Sequence, residues 1–113
     1  MILKEIIEKL QLKVLTAKEK LDIDVSGGYT SDLLSDVIAN SKEGNLWITL
    51  QTHQNIIAVA KLKELAGIIM VNNREPDEDT LKKAKEENVP LMITKERAFS
   101  ISGKLYALTG SKD

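Results

Sequence analysis

The chain has no cysteine among its 113 residues, which removes disulfides, thiolate nucleophiles, iron–sulfur clusters and thiolate zinc sites together. That fits a reducing compartment. The only histidine is His53, so a multi-histidine metal centre is excluded. Two prolines and no low-complexity tract, with 42% hydrophobic and 29% charged residues, describe a folded domain and not a disordered segment. No apolar run is long enough to span a membrane, and the opening MILKEIIEKL breaks its apolar positions with charges, unlike a signal peptide. Charge of one sign is also missing: 16 basic residues against 17 acidic ones leave a formal charge of −1 and no global field for nucleic acid or an anionic membrane. One cytoplasmic domain over residues 1–113, with no cofactor, is expected.

What is present is periodicity. Ile2, Leu3, Ile6, Ile7 and Leu10 recur at helical spacing opposite Lys4, Glu5, Glu8 and Lys9. A short strand is expected over Lys13 to Leu15, and a second over Ile23 to Val25, closed by Gly27-Gly28. A helix follows over Ser31 to Asn40, with Leu33, Leu34, Val37 and Ile38 as its stripe and Thr30 or Ser31 as its cap. Leu46 to Leu50 reads as a strand and Asn55 to Leu65 as a helix buried on two sides. Ile68 to Val71 and Val89 to Ile93 are unalternating strands, separated by a helix that Asp77 or Asp79 caps and that ends at Glu87. Thr94 is expected to cap a last helix with the stripe Ala98, Ile101, Leu105 and Leu108, and Trp47 and Phe99 are expected in the core. About four strand–loop–helix units with unalternating strands predict an α/β fold, a mostly parallel sheet flanked by helices.

In such a sheet, ligands sit beyond the carboxyl ends of the strands, where helix N-termini present free N–H groups. The rule selects the loops Ser26–Ser31, Gln51–Asn55, Asn72–Glu75 and Thr94–Arg97. The Gly-Gly loop matches no phosphate fingerprint, neither G-x-G-x-x-G nor G-x-x-x-x-G-K-[ST], so a nucleotide triphosphatase is excluded and a turn is expected there. Asp32 would complement a helix dipole and repel phosphate. His53 lacks a serine or acid at a diagnostic spacing and reads as a polar loop residue or ligand contact. Arg97 opposes the dipole of the helix it begins, which points to an anion, to a salt bridge with an acid such as Asp77 or Glu96, or to simple exposure. Tyr29, placed on a turn, would offer a stacking face to a ligand or a second subunit, or be an ordinary half-exposed tyrosine.

The ordered set Gly28-Tyr29-x-Ser31-Asp32-Leu33-Leu34-Ser35, Trp47-Ile48-Thr49-Leu50-Gln51-Thr52-His53-Gln54-Asn55, Ala66-Gly67-Ile68-Ile69 and Val89-Pro90-Leu91 resembles the DRTGG domain family. The likeness is to the stand-alone clostridial-type form often labelled a serine kinase of the HPr protein, and it runs from about Leu10 to Leu108. The positions of the naming Asp-Arg pair and Thr-Gly-Gly are held here by Thr52-His53 and Val71-Asn72-Asn73. The resemblance implies an α/β regulatory module, similar to the N-terminal domain of HPr kinase and to segments beside CBS domains in inorganic pyrophosphatases or before phosphotransacetylase domains. It implies sensing or assembly, often as a homodimer, without activity of its own. The kinase label does not follow, because the phosphate-binding loop belongs to a catalytic domain that this sequence lacks.

The resulting expectation is a noncatalytic module that binds a small anionic or nucleotide-like metabolite at the carboxyl edge as a homodimer. Gly28, Tyr29, Ser31, Thr52, His53, Asn55, Asn72 and Arg97 are its candidate ligand residues. The alternative is a ligand-free module that docks a separately encoded metabolic enzyme or kinase. A small enzyme with His53 as base ranks last.

Overall fold

The computed structural model describes residues 1–110. Among the described residues five helices and five strands follow one another: α1 (Leu3–Leu10), β1 (Lys13–Val14), β2 (Gly27–Thr30), α2 (Leu34–Asn40), β3 (Asn45–Thr49), α3 (Asn55–Leu62), β4 (Gly67–Met70), α4 (Glu78–Glu86), β5 (Leu91–Ile93) and α5 (Ala98–Thr109). The sheet order is β1-β5-β4-β3-β2, with β2 to β5 parallel and β1 antiparallel to β5 at the edge. This is the α/β architecture that the unalternating strands predict. β3, β4 and β5 are buried at every position, because helices cover both their faces.

The two faces have separate cores. Val37 of α2, Ile56, Ile57 and Ala60 of α3 and Ala84 of α4 pack on Trp47, Ile68, Met70 and Leu91. Leu3, Ile6 and Leu10 of α1 and Ile101 and Leu105 of α5 pack on Leu46, Ile48, Ile69 and Met92. Since β2 to β5 lie in sequence order, their three right-handed crossovers put α2, α3 and α4 on one side. After β5 the chain leaves toward the other side, where α5 runs back over β2 and β3.

Several local expectations are corrected. Ile23 to Val25 is not a sheet strand: Asp24 only bridges Ile2, and the backbone carbonyls of Ile23 and Leu21 accept from Leu3 and Lys4 N–H at 2.8 and 2.9 Å. The segment thus satisfies free amides in the first turn of α1, which a β-propensity reading cannot anticipate. Gly27-Gly28 opens β2 instead of closing a strand, because α5 lies directly over it. A Cβ on Gly28 would fall 2.6 Å from Leu105 Cδ2. Helix α2 starts at Leu34, later than expected, and neither Thr30 nor Ser31 caps it; Ser31 Oγ accepts from Leu33 N at 3.2 Å before the helix begins. Leu33 and Ile38 are exposed, so the α2 stripe narrows to Leu34 and Val37. Asp77 and Arg97 occupy the N-cap positions of α4 and α5 without side-chain cap bonds, and Thr94 Oγ1 accepts from Glu96 N instead. Trp47 is fully buried as expected, but Phe99 is 93% exposed, on the side of α5 away from Ile101 and Leu105.

Candidate functional site

Parallel pairing from β2 to β5 places four loops on one edge of the sheet. After β2, Ser31 carbonyl accepts from Trp47 Nε1 at 2.8 Å, and Asp32 Oδ1 accepts from Thr49 Oγ1 and Leu50 N at 2.9 and 2.7 Å. Asp32 therefore locks the β2 loop to the end of β3. After β3, the Thr52 carbonyl accepts from Thr80 Oγ1 at 2.6 Å and Asp77 N at 3.2 Å, anchoring the start of α4. After β4, Asn72 and Asn73 both adopt left-handed φ, 60° and 56°, a conformation that asparagine tolerates better than most residues. That twist aims Asn72 N at the Glu96 carbonyl and Asn73 N at the Thr94 carbonyl, each 2.9 Å away, tying the β4 and β5 loops together.

Six of the eight candidate residues follow the carboxyl ends of strands: Ser31, Thr52, His53, Asn55, Asn72 and Arg97. The other two are inside β2. Gly28 faces Leu105, and Tyr29 lies in the strand and not on a turn, half-buried, its hydroxyl donating to Asp36 Oδ1 at 2.8 Å. That bond to Asp36, reinforced by desolvation, raises the phenol above its ordinary value. Asn40, Ser31 and Tyr29 together hold the Asp36 carboxyl below its ordinary value.

His53 is exposed, and its Nδ1 lies 3.1 Å from Asp77 Oδ2, an ion pair when the ring is protonated. The two carboxylates weighed as partners for Arg97 are thus engaged elsewhere, since Glu96 Oε1 accepts from Lys104 Nζ and Ser100 Oγ, each at 2.7 Å. The Lys104 bond, with that of Ser100, depresses the Glu96 carboxyl. Arg97 itself is exposed and makes no ion pair among the described residues.

Charge divides along this edge. Asp32 follows β2 and Asp77 precedes α4 beside the Thr52 carbonyl, while Lys13, Lys95 and Arg97 gather around β5, where the Glu96 carboxylate is paired with Lys104. There, a hollow of about 270 Å³ has Leu10 and Ile93 among its lining, with Gln11, Lys13, Asn73, Thr94, Lys95 and Glu96. The rule that a site opens where neighbouring connections diverge points to the same place, because the β4 loop leads to one face and the β5 loop to the other. Gln11 and Lys13 were missed in the sequence because α1 and β1 precede the repeating units, and Lys95, although in the selected Thr94–Arg97 loop, was not singled out. Their approach depends on the antiparallel pairing Lys13↔Ile93. Other hollows lie at the amino edge around Asp24, Glu43 and Glu64, and between β2 and α5. Among the described residues no cluster of three or more His, Asp or Glu side chains is arranged to hold a metal ion, and no helix is long and apolar enough to cross a membrane.

No protein-family model matches the chain, and no curated protein matches it. Among solved structures it is similar to the CBS and DRTGG domains of the regulatory region of Clostridium perfringens pyrophosphatase, determined with the activator diadenosine tetraphosphate. The TM-score is 0.74 at 15% identity, over 95% of this chain and 46% of that one. The chain therefore spans about half the length of this neighbour, and the likeness is one of fold.

Proposed function

We propose that this α/β domain is a noncatalytic regulatory module that senses a small anionic, nucleotide-like metabolite at the carboxyl edge of its sheet and works as a homodimer. The observation that carries the reading is the hollow of about 270 Å³ at the β4/β5 divergence, flanked by Lys13 and Lys95, neither of which forms an ion pair among the described residues. Apolar contact with Leu10 and Ile93 suits a base or other flat body, and the amines suit phosphate or carboxylate. Asn72 and Arg97 stand on the two loops beside it and extend the positive surface. Ser31, Thr52, His53 and Asn55 sit toward the acidic half of the edge, where an anion gains less. The fold it shares with a pyrophosphatase regulatory region that takes a dinucleotide activator supports the sensing role.

Thermal-shift measurements against adenine nucleotides, diadenosine tetraphosphate and phosphorylated sugars test this. A binder present at 100 times its Kd adds about 2.7 kcal/mol of stability. The expected result is a raised Tm for a subset of the panel, lost in Lys13→Ala/Lys95→Ala and weakened in Arg97→Ala. No shift across the panel removes the sensing role.

A further inference from the structure

The only phenylalanine of the chain stands almost wholly in solvent. Phe99 is 93% exposed and Tyr106, seven residues later on the same flank of α5, is 57% exposed. Gly103 lies between them, and a Cβ built there meets no atom within 4 Å. Phe99, Gly103, Tyr106 and Gly110 recur at spacings of four, three and four, so they form one continuous stripe. It is uncharged: the single charged residue of α5, Lys104, lies on the opposite flank and is bound to Glu96. Beside the stripe, a hollow of about 140 Å³ opens between β2 and α5, lined by Gly28, Thr30, Ser102, Leu105, Tyr106 and Gly110 among others. A cavity of about 150 Å³ is known to admit benzene. The adjoining strand β2 is a sheet edge with the sequence Gly-Gly-Tyr-Thr, without the charge or proline that usually guards an edge.

We infer that this flank of α5 is the homodimer interface, and that a second copy of the chain covers it with two α5 helices antiparallel about a two-fold axis near Gly103. This rests on the homodimer of the proposed function and names its surface. A self-complementary contact needs a knob and a hole on the same patch. Phe99 is the knob, four residues before Gly103; the hollow beside Tyr106 begins three residues after it. Antiparallel packing brings each Phe99 onto the partner's hollow and sets the two Gly103 positions opposite each other across the axis, where a Cβ has open space. Area favours a whole second copy over a small partner. With Phe99 at 93% and Tyr106 at 57% exposure, the two rings have about 225 to 375 Å² per copy left to bury, up to nearly half of the roughly 800 Å² per partner in a standard interface. The edge of β2 and the surface from Ser102 to Gly110 lie alongside to supply the rest. The lack of charge means that two identical flanks meet without repulsion.

Because the chain has no cysteine, Gly103→Cys introduces a single thiol next to the inferred axis. Mild oxidation of the whole protein should convert it to a disulfide-linked dimer, whereas Ala39→Cys, exposed on α2, should not cross-link. Light scattering of the unmodified chain should give twice the monomer mass, and Phe99→Asp should raise the dimer dissociation constant at least ten-fold with an unchanged circular dichroism spectrum. A dimer that persists in Phe99→Asp, or that leaves Gly103→Cys uncross-linked, overturns the surface while the homodimer stands. A monomer at all concentrations overturns both, and leaves ligand sensing to be judged by the thermal shift alone.

Discussion

A methyl group on Gly67 would come 2.9 Å from the Pro90 carbonyl oxygen and 3.1 Å from Pro90 Cβ, so the β4 and β5 backbones themselves would have to part. On Gly28 it would meet Leu105 Cδ2 at 2.6 Å, a side-chain end that can turn within its core. Overpacking of a tight core costs about 1 to 3 kcal/mol, and urea unfolding should place Gly67→Ala toward the upper end and Gly28→Ala toward the lower. Thr16 poses the opposite case. Its buried hydroxyl donates to the Val89 carbonyl at 2.6 Å and accepts from Leu91 N at 3.0 Å, joining the segment after β1 to β5. Thr16→Val strands both groups, at a cost of about 1 to 3 kcal/mol for an unsatisfied buried polar group, whereas Thr16→Ser should stay near the parent. Tyr29 and Asp36 give a pH signature. The raised phenol contributes stability that is full below the ordinary tyrosine value and lost as pH rises through the folded value. The lowered carboxyl contributes stability present above the ordinary aspartate value and lost as pH falls through its depressed one. The difference in urea midpoint between the parent and Tyr29→Phe should therefore be largest between these limits and shrink toward either.

At the scale of the element, α4 is lightly seated, with only Thr80 and Ala84 buried among its nine residues. Its start is tied to the body by the two bonds to the Thr52 carbonyl, and Thr80→Val removes the shorter while keeping the shape. Amide exchange across Glu78 to Glu86 should accelerate in that variant with little change in β3 to β5; uniform acceleration would show that α4 does not open on its own. The helices also show what periodicity conveys. The stripe Ala98, Ile101, Leu105 and Leu108 was legible and does face the core. Phe99 was not, since residue type alone suggested burial while its phase on the helix put it outside. Likewise the β-branched run Ile23 to Val25 outscored Gly27 to Thr30 as a strand, because local propensity says nothing of α1 needing acceptors or of α5 needing a flat strand beneath it.

Over the whole molecule, the repeated unit and the unalternating strands were enough to give the α/β class and the edge on which polar loops collect. The position along that edge was hidden, because it depends on strand order and on the residues before the first repeat. Ser31, Thr52 and His53 are loop residues with the right chemistry, yet Ser31 and Thr52 spend their backbone carbonyls on Trp47, Asp77 and Thr80, and His53 is drawn to Asp77. Lys13 and Lys95 are separated by more of the chain than any motif would span, and only the antiparallel placement of β1 beside β5 unites them. That geometry distinguishes the hollow from the wider ring of loops. A nucleotide held in the hollow must touch three segments remote in sequence, Leu10 to Lys13, Asn73, and Ile93 to Glu96, and leave the loop at Ser31 to Leu33 in solvent. Hydrogen exchange with and without a ligand that raises Tm should show protection appearing together in the stretches 11–13, 72–74 and 93–97, through ordering of loops that the β4–β5 backbone bonds already couple. Protection centred instead on 29–33 and 51–55 would move the ligand to the β2–β3 half of the edge, where Asp32 would have to be reconciled with an anion.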